Sequence, residues 1–282
     1  MTLIPRGELL PYKGNFYLWN YIPSMAAAVI FLLLFLVASL AHSWRMYHER
    51  LWFCLPFVIG GYLEVIGYIG RAMAVNATDQ LGPYIIQSVF LLVPPSLFAA
   101  SIYMTLGRIM RALGPVGESC SFIRVSRLTT IFVLGDVFAF LVQSSGAGYM
   151  AAGSSSKTGE NIVIGGLLIQ IIFFGLFVVA AVSFHLRYRQ SASSLAPSNV
   201  PWQSMLTMLY VNSALILVRS IFRIAEYAMG STGYLLQNEW PLYVFDSVLM
   251  LAVMVVFYKK YPSDIGKALG LGGKTGYAPA AV

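Results

Sequence analysis

Charged side chains are scarce in this sequence: Asp, Glu, Lys and Arg make up 10% of its 282 residues, where a soluble domain carries roughly 25%. With 58% of residues hydrophobic and a mean hydropathy of +0.74, no water-soluble fold of this size could hide its apolar surface. Cysteine is limited to Cys54 and Cys120, which gives no basis for a disulfide framework or a cysteine-built metal site. Histidine is limited to His42, His48 and His185. All three fall at predicted helix ends, and none stands at metal-ligand spacing from another. Haem would need an axial ligand such as histidine; ligation by tyrosine or methionine stays open. No cofactor is expected.

What the chain does have is long apolar runs. A helix needs about 20 apolar residues to cross the hydrocarbon core, and seven segments qualify: 21–43, 52–73, 84–108, 123–147, 161–186, 203–228 and 240–258. The expected fold is an all-α, polytopic seven-helix transmembrane bundle. The first run is longer than the h-region of a signal peptide, so it reads as a retained span. Pro94-Pro95 inside the third should kink or open it. Trp19, Trp44, Trp52, Trp202 and Trp240 stand near span ends and read as interfacial anchors.

The loops are short, so the distribution of basic residues sets the expected orientation. One side collects Arg45, Arg50, Arg108, Arg111, Arg124, Arg127, Arg187, Arg189, Lys259, Lys260, Lys267 and Lys274. The other holds Arg6, Lys13 and Lys157. Twelve against three makes the first side cytoplasmic. Residues 1–20 are then an extracellular segment, 21–258 the membrane domain and 259–282 a basic cytoplasmic tail. The net charge of +7 fits loops lying on an anionic leaflet and needs no nucleic acid. Asn76-Ala77-Thr78, in the loop after the second span, makes Asn76 a candidate glycosylation acceptor on the outer face.

Seven ionisable residues nevertheless lie inside spans: Glu64, Arg71, Asp136, Arg219, Arg223, Glu226 and Asp246. Each costs at least about 2.5 kcal/mol at the membrane centre, so such groups face the bundle interior and pair. Glu64 and Arg71 are seven residues apart, as are Asp136 and Gln143, Arg219 and Glu226, and Glu239 and Asp246. Seven residues are nearly two turns, so each pair shares one helical face. Arg223 lies on the stripe of Arg219. Four inward stripes are expected to form one polar core, open toward the outer leaflet. Such a core suits a substrate or ion pathway, or a network that only fixes helix register.

Other functions find less support. Ala268–Thr275 satisfies a loose phosphate-loop pattern but lacks the strand and helix that would make it one. No lysine lies within a span, which excludes a retinal Schiff base. Gly135-Asp136 alone is no aspartyl-protease signature, so enzyme activity is not expected.

Five segments carry a resemblance: GYLEVIGYIGR (61–71), VPPSLFAASIYMTLGRI (93–109), GDVFAFLVQSSGAG (135–148), RSIFRIAEYAMG (219–230) and EWPLYVFD (239–246). In this order they resemble the fungal lipid-translocating exporters, the RTA-like family. Tyr261-Pro262 stands where many members have His-Pro. The resemblance implies a seven-span protein, of the plasma membrane or an internal one. It implies movement or sensing of amphipathic lipids or toxic compounds, such as a sphingoid base or a sterol-like compound. It also implies that Glu64, Arg71, Asp136, Gln143, Arg219, Arg223, Glu226, Glu239 and Asp246 are motif positions. On this reading Arg219 and Arg223 hold an anionic head group or neutralise the acids. Glu64, Asp136 and Asp246 bind an amine or carry protons, with Asp136, alone in its span, first for the proton. A ligand-sensing receptor stays open as the alternative.

Overall fold

The computed structural model describes residues 11–12, 17–19, 21–151, 156–192, 201–230 and 233–263. The tail motif at 268–275, the serine-rich stretch 193–200 and most of the first 20 residues lie outside these. Among the described residues the chain is helical and has no strand. In order come α1 (Met25–Glu49), a 3₁₀ turn (Trp52–Cys54), α2 (Leu55–Ala74), α3 (Leu81–Leu92), α4 (Pro94–Ala112), α5 (Gly114–Ser119), α6 (Val125–Ala151), α7 (Ser156–Ala192) and α8 (Trp202–Ala228). Two short helices follow, α9 (Tyr234–Gln237) and α10 (Trp240–Leu242), then a π-helical turn (Tyr243–Val248) and α11 (Leu249–Lys259). Among the described residues, seven segments are long and apolar enough to cross a bilayer, at Met25–Glu49, Trp52–Ala74, Leu81–Ala112, Val125–Met150, Lys157–Ser191, Trp202–Ala228 and Trp240–Lys259. Each coincides with a segment expected from the sequence.

The ends are set by local chemistry. The Ser24 hydroxyl accepts from the Ala27 N–H at 3.4 Å and caps α1. Arg50, with φ of 55°, turns the chain out of that helix in the left-handed region. The proline pair breaks the third span as expected. Pro94 and Pro95 have no N–H to give the carbonyls four residues back, Phe90 and Leu91. The helix stops at Leu92 and restarts at Pro94, leaving the Leu91 carbonyl without its usual donor.

α4 is the inner helix, in contact with α2, α6, α7 and α8. The others close around it: α1 on α2, α6 on α7, α7 on α8, α8 on α11, and α11 back to α1. Val37 and Leu40 of α1, Leu134 and Phe138 of α6, and Ile172 and Val179 of α7 are exposed. They form the apolar belt a bilayer covers. Trp44, Trp52 and Trp240 are exposed as interfacial anchors should be, whereas Trp19 and Trp202 are buried. Trp202 lies edge-on to Tyr188 with ring centroids 5.3 Å apart, and Trp19 edge-on to Tyr84 at 5.6 Å. Aromatic partners of their own draw these two indoles inward.

α2 and α3 approach so closely that only glycine fits between them. A Cβ on Gly70 would stand 2.9 Å from the Gln87 backbone nitrogen, and one on Gly67 would meet the Leu91 side chain. Backbone cannot yield as a flexible side chain can. Gly70→Ala is expected to destabilise the bundle by about 1–3 kcal/mol, read as a lower melting temperature in detergent. An unchanged melt would mean that α3 slides freely along α2.

Candidate functional site

Two polar layers form where α2, α3, α8 and the π-helical turn meet. The first is built on Arg71, which is fully buried. Its guanidinium donates to Tyr243 Oη at 3.0 Å, Gln87 Oε1 at 3.2 Å, Tyr21 Oη at 3.0 Å and Glu239 Oε1 at 2.7 Å. The rings of Tyr243, Tyr21 and Trp19 stand 5.1, 5.6 and 6.0 Å from its charge centre, near enough for cation–π attraction. Glu239 also accepts from the Ser24 backbone N–H with both oxygens, at 2.9 and 3.0 Å. The start of α1 and the segment before it are thus fastened across this end of the bundle.

The second layer lies about 10 Å deeper, two turns of helix away. Asp246 is buried and bridges two arginines, Oδ1 accepting from Arg219 Nε and Oδ2 from Arg223 Nη2. Arg223 Nη1 donates to Glu226 at 2.8 Å. Arg219 Nη2 donates at 2.8 Å to the Leu91 carbonyl, the acceptor that Pro95 leaves free. Glu64 is buried within electrostatic reach of Asp246, Arg219 and Arg223, yet it forms no ion pair among the described residues and its Oε1 has no hydrogen-bond partner. Tyr68, between Glu64 and Arg71 on α2, hydrogen-bonds Ser247. It stacks with Phe35 and Phe31 at 5.5 and 5.8 Å, screening the layers from the lipid side of α1.

Asp136 stands apart. It is buried, and Oδ2 accepts from Tyr103 Oη at 2.9 Å while Oδ1 has no partner among the described residues. Its Tyr103 is ringed by Phe132 at 5.5 Å, Phe177 at 4.4 Å and Phe174 at 6.0 Å. Gln143, the other polar residue of that stripe, donates to Gln170 Oε1 at 3.1 Å, and Gln170 donates to Ser96 at 3.2 Å. The structure therefore brings Glu64, Arg219, Arg223, Glu226 and Asp246 together and sets Arg71 with Glu239 above them. It gives Asp136 and Gln143 separate partners on α4 and α7.

This separation carries its own prediction. Tyr103→Phe strips Asp136 of its one hydroxyl and should destabilise the fold by about 1–3 kcal/mol, the cost of an unsatisfied buried group. Tyr103→Phe with Asp136→Leu, which removes both partners, should recover most of it. A Tyr103→Phe variant that melted with the wild type would show that the hydrogen bond contributes nothing.

A cavity of about 150 Å³ lies beside the deeper layer, among α3, α6, α7 and α8. Ile85, Val89 and Val163 supply apolar wall; Tyr84, Gln143 and Tyr227 supply polar edges. Glu226 is within electrostatic reach of both tyrosines, and Ser144 Oγ, also in the lining, is buried without a hydrogen-bond partner among the described residues. Several of these residues escape a search for intramembrane charge. Gln87 and Gln170 could have been found: each is an amide deep within a long run that carries no charge, a costly group for the same reason as a charge. Tyr21, Tyr103 and Tyr243 give no such signal, because tyrosine is common at span ends and in cores.

No group of three or more His, Cys, Asp or Glu side chains that could hold a metal occurs among the described residues. Cys54 and Cys120 are buried free thiols.

No solved structure matches this chain. Protoporphyrin uptake protein 1 of Saccharomyces cerevisiae is 34% identical over 279 residues, covering 86% of this chain and 91% of that protein. Protein RTA1 of the same yeast is 34% identical over 275 residues, covering 89% and 86%. The sphingoid long-chain base transporter RSB1 is 22% identical over 303 residues, covering 93% and 77%. Residues 57–268, from the start of α2 past the end of α11, match the family described as RTA1 like protein, and with these relatives the chain belongs to that family.

Proposed function

We propose that this chain moves amphipathic, lipid-like compounds across the bilayer, with the buried carboxylate of Glu64 as the charge that a cationic amine or a proton neutralises on the way. One observation carries the reading. Every arginine in the two layers has a carboxylate partner, which leaves Glu64 and Asp136 as the buried acids without an ion pair among the described residues. An unpaired buried carboxylate costs several kcal/mol. A chain that only needed helix register would do better with glutamine there. Relatives named for sphingoid long-chain base transport, lipid transport and protoporphyrin uptake support the same substrate class.

The cavity beside Glu226 is the proposed head-group seat. At about 150 Å³ it falls below the 300–1,000 Å³ of pockets for whole drug-sized ligands. It therefore takes a polar head and leaves the tail to the membrane. By the distribution of basic residues, the Arg71 layer faces outward and the end carrying Arg45 and Lys259 faces the cytoplasm. Asn76, exposed in the α2–α3 connection, is then an outer-face glycosylation acceptor.

The purified chain in liposomes should equilibrate a labelled long-chain amine between leaflets about tenfold faster than protein-free vesicles, a barrier lowered by ~1.4 kcal/mol. Binding without movement would replace the translocator with the receptor reading.

A further inference from the structure

A second feature faces the lipid. Between α6 and α7 runs an apolar groove of about 370 Å³, away from the charged layers. Phe122, Ile131, Phe173, Leu176 and Ala180 line it, and Ser183 is the one hydroxyl in the lining. Its inner end is closed by Phe173, whose ring lies on the α6 backbone at Gly135, where a Cβ could not fit. From Phe173 to Ser183 is ten residues, about 15 Å of helix. That is half the ~30 Å hydrocarbon thickness, the depth of a single leaflet.

The mouth is basic. The Arg187 guanidinium stands 5.4 Å from the Phe122 ring centroid, one turn beyond Ser183. Arg127 lies one turn before Ile131 on α6, and Arg124 follows the lining residue Ile123. All three arginines are exposed and none has an ion pair among the described residues. Glu118, the one acid in the connection from α4 to α6, pairs with none of them. A guanidinium resting on a ring keeps its in-plane N–H groups free for an anion.

From this placement we infer that the α6–α7 groove is a binding site for an anionic phospholipid, one acyl chain in the groove and the phosphate among Arg124, Arg127 and Arg187. The apolar walls fit any acyl chain; the three cations without a counter-charge select the anionic head over the zwitterionic one. Phe132, on the groove floor, stands between it and Tyr103, so the lipid does not reach Asp136. The site is independent of the proposed translocation path, and its test does not involve transport.

The full chain, purified in detergent, is offered equal phosphatidylserine and phosphatidylcholine, and retained lipid is counted by native mass spectrometry. The wild type should hold one phosphatidylserine with about tenfold or greater preference. Arg124→Gln, Arg127→Gln and Arg187→Gln together should abolish the preference while leaving some retention of either lipid. Ala180→Trp fills the groove without touching a charge and should abolish retention of both. Leu168→Trp, on the exposed face of α7 outside the groove, should behave as wild type. Equal retention of the two lipids by the wild-type chain overturns the proposal. So does undiminished retention in Ala180→Trp, which stands as a test even if the triple variant fails to fold.

Discussion

Asp246→Asn should remove most of the folded protein from the membrane. Asp246 serves two arginines at once, one with each oxygen, and all three side chains are shielded from water. Asparagine keeps one acceptor oxygen and turns the other into an N–H that faces a guanidinium N–H, so one of the two arginines loses its acceptor, and among the described residues Glu226 is left as the carboxylate paired with either arginine. Breaking a buried pair by removing one partner typically costs about 3–5 kcal/mol, because the surviving charge stays buried and uncompensated. A bundle with ordinary marginal stability does not tolerate that loss. The readout is the yield and melting temperature of monodisperse protein by size-exclusion chromatography. Adding Arg219→Gln, which restores the charge balance, should recover part of the loss through coupling between contacting sites. A single Asp246→Asn variant that melted with the wild type would show that the bridge merely occupies space.

The spans were legible in the sequence because hydropathy reports the solvent, and the solvent here is hydrocarbon. It reports only the part of each helix within that solvent. The first span reads as 21–43 from apolarity, yet α1 runs to Glu49, where Arg45 and Glu49 pair at 3.0 Å one turn apart and carry the helix on through polar residues. The fifth reads as 161–186 and extends as α7 from Ser156 to Ala192 for the same reason. His42, which the apolar run puts at a helix end, consequently sits within α1, buried, its Nε2 3.0 Å from the Met254 carbonyl oxygen.

Spacing also found the polar faces, since a side chain seven residues on returns to nearly the same direction. It could not say which face meets which. Glu64 and Arg71 share a stripe but belong to different layers, each answered by an acid at the last span: Glu239, just before it, for Arg71, and Asp246, within it, for the arginines beside Glu64. Asp136 shares no partner with either layer, because α6 packs on α4 and α7 and turns Asp136 toward Tyr103 on α4. That is tertiary information, absent from any one helix. The free Leu91 carbonyl is intermediate: Pro95 announces it in the sequence, but Arg219 as the group that takes it emerges only from packing.

Glu64→Gln should have the opposite profile to Asp246→Asn: intact fold, impaired function. The substitution keeps the shape and removes a charge that has no ion pair among the described residues, so the melting temperature should hold or rise. A structural role predicts no further consequence. If Glu64 instead neutralises the amine of a passing substrate, the variant loses a charge-assisted contact worth about 1.5–3 kcal/mol. That corresponds to about a tenfold to hundredfold slower movement of a long-chain amine in liposomes. The same lipid with its amine acetylated carries no charge and should move equally well in variant and wild type, which separates loss of the amine contact from a general defect. Asp136→Asn supplies the second axis. Having no partner in common with Glu64, it should combine with Glu64→Gln additively if the two carboxylates act as independent stations. A Glu64→Gln chain that moved the free amine at the wild-type rate would end the assignment of Glu64 to substrate, and the buried acid would then have to be explained by packing alone.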